Sequence, residues 1–157
     1  METVILLDVD GVLVPFGPYS QHKMIAVGPV FVRKKLRKWL QDLSEKSEIY
    51  WATSWQANAK IFEHELEFHC QGFLDFSKYH TKNYLWGKLE TIEIFCQQNV
   101  GKKFVLIDDN ANDWLLTASS VLTELMKEGK LLVIKPDAYV GISDKEMKKV
   151  SEYVKNK

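Results

Sequence analysis

Residues 6–14 have the sequence LLDVDGVLV and place two aspartates, Asp8 and Asp10, at the end of an apolar run that starts near the N-terminus. A continuous run of valine, isoleucine and leucine is typical of a strand that is buried on both faces, so this stretch predicts the first strand of a parallel sheet. Side chains alternate along a strand, which places Asp8 and Asp10 on one side and turns Val9 back towards the core. Two like charges at one strand end therefore need a partner of opposite charge.

The composition fits one domain without a strong charge excess. The chain has 157 residues, of which 46% are hydrophobic, and a chain of this length buries roughly 70% of its unfolded surface. We therefore expect a single domain over residues 1–157. Lysine plus arginine and aspartate plus glutamate number 21 each, so the chain as a whole is not built to attract nucleic acid or an anionic membrane. Any basic binding site must be local.

The cysteines and the first residues indicate the compartment. Cys70 and Cys96 form neither a disulfide framework nor a metal-binding cluster, which favours reduced thiols in a reducing compartment. Glu2 stands where a signal peptide carries positive charge, and Asp8 and Asp10 interrupt the early apolar run, so we expect neither a signal peptide nor a membrane span. The prediction is a soluble, cytoplasmic protein with no membrane partner; the sequence does not specify its oligomeric state.

Apolar runs alternate along the chain with stretches of helical period. Four runs have the pattern of strands: TVILLDV (3–9), EIYWAT (48–53), KFVLIDD (103–109) and KLLVIKP (130–136). Helical spacing is found in VRKKLRKWLQDLSEK (32–46), NAKIFEHELEF (58–68), KLETIEIFCQQ (88–98) and DWLLTASSVLTELMKE (113–128), and a Ser143–Glu146 capping box precedes a last helix. This order predicts an α/β fold, a Rossmann-like three-layer sandwich with a central parallel sheet. Residues 10–30 hold three glycines and three prolines, which indicates a loop or small hairpin over the site.

Polar residues stand where the predicted strands end. The three ends carry Asp8 with Asp10, Thr53 with Ser54, and Asp108 with Asp109. Parallel order brings the carboxyl ends of strands to one edge of the sheet, so four carboxylates are expected to converge there. Two carboxylates about 4 Å apart repel by roughly 4 kcal/mol at an effective dielectric near 20, and several such pairs exceed the stability of a domain. A bound cation resolves the conflict, and oxygen ligands without histidine or cysteine favour Mg²⁺.

Lys88 stands at the predicted start of a helix, where the helix dipole makes a positive charge unfavourable. A local rule broken in this way often marks a functional site. Beside a carboxylate cluster that receives an anion, Lys88 is the candidate for balancing a phosphoryl group. Lys82 and Lys78 compete for the same role.

These residues resemble the four motifs of the haloacid dehalogenase-like (HAD) superfamily of phosphatases and phosphotransferases, in their usual order. The matching stretches are DVDGV (8–12), WATSW (51–55), Lys88 within WGKLETI (86–92) and LIDDNANDW (106–114). Within the superfamily, WATSWQANA (51–59), LIDDN (106–110) and PDAYVGIS (136–143) resemble the HAD domain of Swiss Army Knife RNA repair-like proteins. The resemblance implies a HAD-like fold, here without room for a substantial cap domain.

The resemblance also implies a role for each polar residue. Asp8 would be the nucleophile that forms an aspartyl-phosphate, and Asp10 the general acid and base. Thr53 would donate its hydroxyl to a phosphoryl oxygen, although the neighbouring Ser54 is an alternative. Lys88 would steady the nucleophile and the transferring group.

The same resemblance gives the ligands of Mg²⁺. Asp8, the backbone carbonyl of Asp10, and Asp108 with Asp109 would hold the ion. Which of Asp108 and Asp109 is the direct ligand stays open. Asp113 also fits some versions of the motif, but an acid in the first turn of a helix has its own favourable place.

An uncovered site predicts a large phosphorylated substrate, such as a nucleic-acid end or a phosphoprotein. Trp55, Trp86 and Trp114 lie near proposed site residues, where they either stack on bases or line the domain rim. Trp55 is included among the candidate substrate-binding residues with Thr53, Ser54 and Lys88. The basic stretch RKKLRK (33–38) either tracks a phosphate backbone or is a solvated helix face whose apolar side carries Leu36, Trp39 and Leu40.

The sequence therefore predicts a Mg²⁺-dependent phosphatase that works through an aspartyl-phosphate. Alternatives are a catalytically quiet module that binds phosphorylated ends and a phosphatase of small metabolites or nucleotides. A signalling receiver domain uses similar residues, but in receivers the lysine comes last, whereas here Asp108 and Asp109 follow Lys88.

Overall fold

The computed structural model describes residues 1–156 and contains a five-stranded parallel sheet with helices on both faces. In chain order the strands are β1 (Thr3–Leu7), β2 (Met24–Val27), β3 (Val30–Arg33), β4 (Glu48–Trp51), β5 (Gly72–Phe73), β6 (Lys103–Ile107) and β7 (Leu131–Ile134). The helices are α1 (Lys35–Lys46), α2 (Lys60–Leu66), α3 (Leu89–Gln98), α4 (Asp113–Leu116), α5 (Ser120–Lys127) and α6 (Asp144–Lys155). The sheet order is β5-β4-β1-β6-β7, and β2 and β3 form a separate antiparallel hairpin. The α/β prediction is confirmed.

Strand β1 lies in the middle of the five-stranded sheet, and its side chains pack on both faces. Ile5 and Leu7 pack into the core that α1, α2 and α6 cover, whereas Val4 and Leu6 pack into the core beneath α3 and α5. All four are fully buried, and burying one such side chain contributes about 1.5–3 kcal/mol. The pattern that predicted a strand buried on both faces is therefore explained by two cores that share one sheet.

The elements differ from the sequence pattern in two places. Strand β5 has only two residues, too few for any recognisable period, and is held by the backbone bonds from Gln71 to Ile49 (2.8 Å) and from Leu74 to Trp51 (2.8 Å). The single helix predicted over residues 113–128 is two helices, α4 and α5. Ser119 separates them, because its hydroxyl accepts the N–H of Leu122 and starts a new helix.

The segment 10–30 contains the first strand of the hairpin, as expected, and the capping box of Ser143 and Glu146 is present at α6. The basic stretch 33–38 is mostly used inside the fold. Its partners are Asp144 for Arg33 and Lys35, the carbonyl oxygen of Glu65 for Arg37, and Asp42 for Lys38. Leu36, Trp39 and Leu40 are buried on the other side of the helix, which agrees with the interpretation of the stretch as a solvated helix face.

Within residues 1–156, no helix has both the length and the apolar character that crossing a membrane requires. Cys70 and Cys96 are both buried and unbridged, and burial raises the pKa of the Cys96 thiol to about 12.

Two buried acids of α3 anchor the irregular segment 74–88 that leads to Lys88. Glu90 accepts hydrogen bonds from the backbone N–H groups of Thr81 and Lys82. Glu93 is 1% exposed and accepts from Ser119 (2.5 Å), Tyr84 (2.8 Å) and the ammonium of Lys82. Burial alone would raise the pKa of Glu93, but these three donors outweigh it and hold the pKa below 4.5. The start of α3 is therefore fixed by charge as well as by packing.

Replacing Glu93 by glutamine is expected to reduce the free energy of unfolding at neutral pH by about 1–3 kcal/mol, since the charge that Lys82 balances is lost. The pKa of Glu93 is lowered in the folded protein, so its contribution is complete above pH 4.5 and disappears as the pH falls through the lowered value. Urea unfolding of wild type and Glu93→Gln should give free energies that converge below pH 4.5. The exposed Glu65→Gln is the control and should match wild type; a Glu93→Gln deficit that persists unchanged in acid contradicts this assignment.

Candidate active site

Three strand ends meet at one edge of the sheet. The backbone N–H of Asp8 donates to Ile107 (3.0 Å), and the N–H of Ala52 donates to Leu7 (2.8 Å). These bonds continue the parallel ladders just past the strands. As a result, Asp8 after β1 lies between the residues that follow β4 and β6.

Three carboxylates gather at this edge. Asp8, Asp108 and Asp109 each offer an oxygen, and these atoms lie within 4.8 Å of one another. Asp8 is 6% exposed and Asp108 is fully buried. Burial and the charge of Asp108 raise the pKa of Asp8 from 3.8 to about 7, although Lys88 acts in the opposite direction. Burial and Asp108 also raise the pKa of Asp109. The fold therefore holds these acids where their ionised forms lack sufficient positive charge.

The donor set fits a divalent metal ion. All three side chains in the group are carboxylates, and carboxylate oxygens are the ligands that Mg²⁺ prefers. A second positive charge would also stabilise the ionised forms of Asp8 and Asp109, whose pKa values are raised by burial and by the charge of Asp108. The group can therefore hold a cation of this class.

Lys88 is the cation that the protein itself supplies. It immediately precedes α3, as the sequence pattern predicted. Its ammonium lies 2.6 Å from the Oδ2 atom of Asp108 and 3.3 Å from the Oδ1 atom of Asp8, and it donates to the carbonyl oxygen of Ala52 (2.8 Å). The competing lysines lie elsewhere: Lys82 binds Glu93, and Lys78 lies beside the ring of Tyr79.

The side chain of Asp10 is not one of the three grouped carboxylates, which corrects the expectation that four would converge. Its Oδ2 atom accepts a hydrogen bond from the indole N–H of Trp55 at 3.0 Å. The backbone N–H of Trp55 also donates to the hydroxyl of Thr53 (3.2 Å), and its ring packs on Phe62. Trp55 therefore contacts two predicted site residues at once. The sequence did not indicate this contact, because Asp10 and Trp55 are 45 residues apart.

The remaining predicted residues lie around this centre. Thr53 is buried at the end of β4, whereas its neighbour Ser54 is exposed. Asp113 is exposed and is the first residue of α4, where an acid is favourable. It does not belong to the carboxylate group. Trp114 is 66% exposed, and Trp86 is half-buried.

Gly11 is a site residue that sequence reasoning missed. Its φ of +77° is disfavoured for other residues, and a Cβ atom built on it would lie 2.6 Å from the Oδ2 atom of Asp109. Only a residue without a side chain lets the loop after β1 approach Asp109 this closely. The aspartate-glycine pair in DVDGV is the sequence signal that could have identified it.

Of the comparisons with known proteins, the one with family models agrees with this geometry. No curated protein and no solved structure gives a significant match. A family model described as the HAD domain in Swiss Army Knife RNA repair proteins matches residues 4–147. The match includes every residue of the candidate site, from Asp8 to Asp109. The chain therefore belongs to the family of HAD domains found in Swiss Army Knife RNA repair proteins.

Proposed function

We propose that this HAD-type hydrolase domain is a Mg²⁺-dependent phosphatase that cleaves phosphomonoesters through an aspartyl-phosphate on Asp8. The observation that carries the proposal is the position of the Lys88 ammonium, which is shared by Asp8 and Asp108 within a group of three carboxylates. Phosphoryl transfer depends mostly on positioning and charge balance, and this group supplies both.

In the first step, a carboxylate oxygen of Asp8 attacks phosphorus and the bond to the leaving oxygen breaks. Asp10 gives its proton to that oxygen, so the alcohol leaves neutral and the phosphoryl group stays on Asp8. In the second step, the ionised Asp10 takes a proton from water. The resulting hydroxide attacks phosphorus and releases inorganic phosphate, which restores Asp8 and the protonated Asp10.

The other residues position these groups. Lys88 holds Asp8 and neutralises charge on the phosphoryl oxygens. We propose that the hydroxyl of Thr53 donates to one of these oxygens. Asp8, Asp108 and Asp109, with the backbone carbonyl of Asp10, would hold Mg²⁺, which would supply further positive charge when bound. Trp55 orients Asp10 through its indole N–H.

Within residues 1–156, no cap domain covers the carboxylates, and this supports a large substrate. Between Asp8 and Thr53 the chain forms the hairpin and α1, and between Thr53 and Lys88 it forms α2, β5 and an anchored loop. None of these described segments builds a second domain over the carboxylates. We propose a phosphorylated nucleic-acid end as the substrate, which agrees with the family's description as part of RNA repair proteins.

Asp8→Asn is expected to lower phosphate release from an aryl phosphate and from phosphorylated oligonucleotides by more than about 10³-fold, because an amide is not a competent nucleophile. The control is Asp113→Asn, which removes an exposed acid of the fourth motif and should retain activity. Phosphate release can be measured for both variants in the presence of Mg²⁺. Full activity in Asp8→Asn would contradict the mechanism. Tight binding of the phosphorylated oligonucleotide by wild type without turnover would favour a binding module.

Mg²⁺ should stabilise the folded protein in the absence of substrate. At about 100 times its dissociation constant, an ion that binds only the folded state contributes about 2.7 kcal/mol, which corresponds to a Tm increase of about 5–10 °C for a chain of this size. Thermal unfolding with added Mg²⁺ and with chelator measures the shift. Asp109→Asn should remove most of it and Asp113→Asn none; an Asp109→Asn shift as large as that of wild type would exclude Asp109 as a ligand.

Trp55→Phe should act on the leaving group. Without the indole N–H, the Asp10 carboxyl is less well oriented, so kcat/KM for an alkyl phosphate should fall about tenfold. We compare kcat/KM because it reports the first step, whereas hydrolysis of the aspartyl-phosphate, in which Asp10 is the base, is common to both substrates. An aryl phosphate with a good leaving group needs no proton and should change by less than about twofold. Trp86→Phe is the matched control, because within the described residues its indole has no carboxylate partner, and it should keep the wild-type ratio of the two activities. Equal losses on both substrates in Trp55→Phe would show that Trp55 does not act through Asp10.

A further inference from the structure

A groove with a volume of about 560 Å³ opens at the carboxyl end of β7. Its walls come from the end of β7, the turn over residues 137–141 and the first turns of α6. The charged and apolar residues that line it include Lys135, Asp137, Val140, Lys145, Glu146 and Lys149. We call this feature the lysine groove.

The lysine groove adjoins the carboxylate group through two backbone contacts. The N–H of Asp108 donates to the carbonyl oxygen of Ile134 (3.1 Å), and Ile134 directly precedes Lys135. On the other side, the N–H of Ile142 donates to Val12 (2.9 Å), so the turn that forms one wall packs against the loop that follows Asp10. A substrate held at the carboxylates therefore has the groove as its neighbour.

Within the described part of the chain, the three lysines of the groove have no ion-pair partner, and they outnumber its two acids, which accept hydrogen bonds from the chain. Among residues 1–156, none of the three lysines forms an ion pair, and all three are exposed. Asp137 accepts the backbone N–H of Tyr139 (2.9 Å), and Glu146 is engaged with Ser143 in the capping box. The groove therefore presents unpaired ammonium groups to its contents, unlike the basic stretch 33–38.

The arrangement of the lysines fits a row of anions. Lys145 and Lys149 are four residues apart on α6, so they share one helix face and are separated by about 6 Å along the axis. Lys135 faces the groove from the strand side. Val140, which lines the groove, is 58% exposed and offers an apolar surface that a base can contact. Phosphates in sequence and exposed bases are the features of a single-stranded nucleic acid.

We propose that the lysine groove binds the phosphodiester backbone of a single-stranded nucleic acid whose terminal phosphate reaches Asp8. The position of the terminal phosphate rests on the proposed function. Binding of the nucleic acid in the groove does not rest on the proposed function, because Lys135, Lys145 and Lys149 would contact phosphates that are not cleaved.

The test compares two triple variants of the full chain. One carries Lys135→Gln, Lys145→Gln and Lys149→Gln. The control carries Lys46→Gln, Lys127→Gln and Lys155→Gln, which removes the same charge from exposed lysines in the last turns of α1, α5 and α6. Fluorescence anisotropy measures the binding of short single-stranded RNA and DNA, labelled at the end opposite the phosphate, over a range of salt concentrations.

The groove variant should bind the oligonucleotide at least about tenfold more weakly than wild type. The slope of log K against log salt should fall by about 2, since each phosphate contact with a single strand contributes about 0.7. Its kcat/KM should fall for a phosphorylated oligonucleotide and stay unchanged for a small aryl phosphate. The control variant should match wild type in all three measurements.

Three results would overturn the proposal: an unchanged slope in the groove variant, equal losses in both triple variants, or a wild-type preference for an acidic phosphopeptide over the oligonucleotide. The outcome for the phosphatase is separate. Groove-dependent binding without phosphate release supports the groove and rejects the proposed function, whereas phosphate release without groove-dependent binding does the opposite.

Discussion

One ammonium group placed among buried carboxylates is the constraint on which the site depends. Lys88 contacts Asp8 and Asp108, which are almost wholly removed from water, and Asp109 completes the group. Charges in such a position are tolerated only when they are paired, and one lysine cannot balance three acids. The arrangement costs stability in the free protein, and a divalent cation bound to the three acids would offset that cost.

The rest of the fold serves this arrangement. The parallel sheet brings Asp8 and Asp108 side by side, and the start of α3 carries Lys88 to them. Glu90 and Glu93 hold the segment before Lys88 in place: Glu90 accepts a hydrogen bond from the backbone of Lys82, and Glu93 binds the ammonium of the same lysine. The positive charge of Lys88 is unfavourable at the start of α3. The buried hydrogen bonds of Glu90 and Glu93 stabilise this helix start instead. A second restraint lies after β4, where Trp55 donates hydrogen bonds to both Asp10 and Thr53.

Much of this could be predicted from the sequence, because the decisive signals are local. Each signal can be recognised within a few residues: an apolar run before Asp8, an acid pair at 108–109, and a positive charge at a helix start at Lys88. The parallel order of the strands then brings these residues together. The contacts that could not be predicted are those between distant segments: Trp55 on Asp10, and Gly11 against Asp109. Strand β5 was missed because two residues carry no period. The division between α4 and α5 was missed because a single serine cap interrupted an otherwise helical pattern.

The central claim is that Asp8 carries the phosphoryl group during turnover. The most direct measurement is rapid acid quenching of the enzyme during hydrolysis of a radiolabelled phosphomonoester, followed by peptide mapping of the labelled protein. The account predicts label on the peptide that contains Asp8, released by hydroxylamine as expected for an acyl phosphate. Phosphate release with no label on the protein, or with label on a residue other than Asp8, would contradict it.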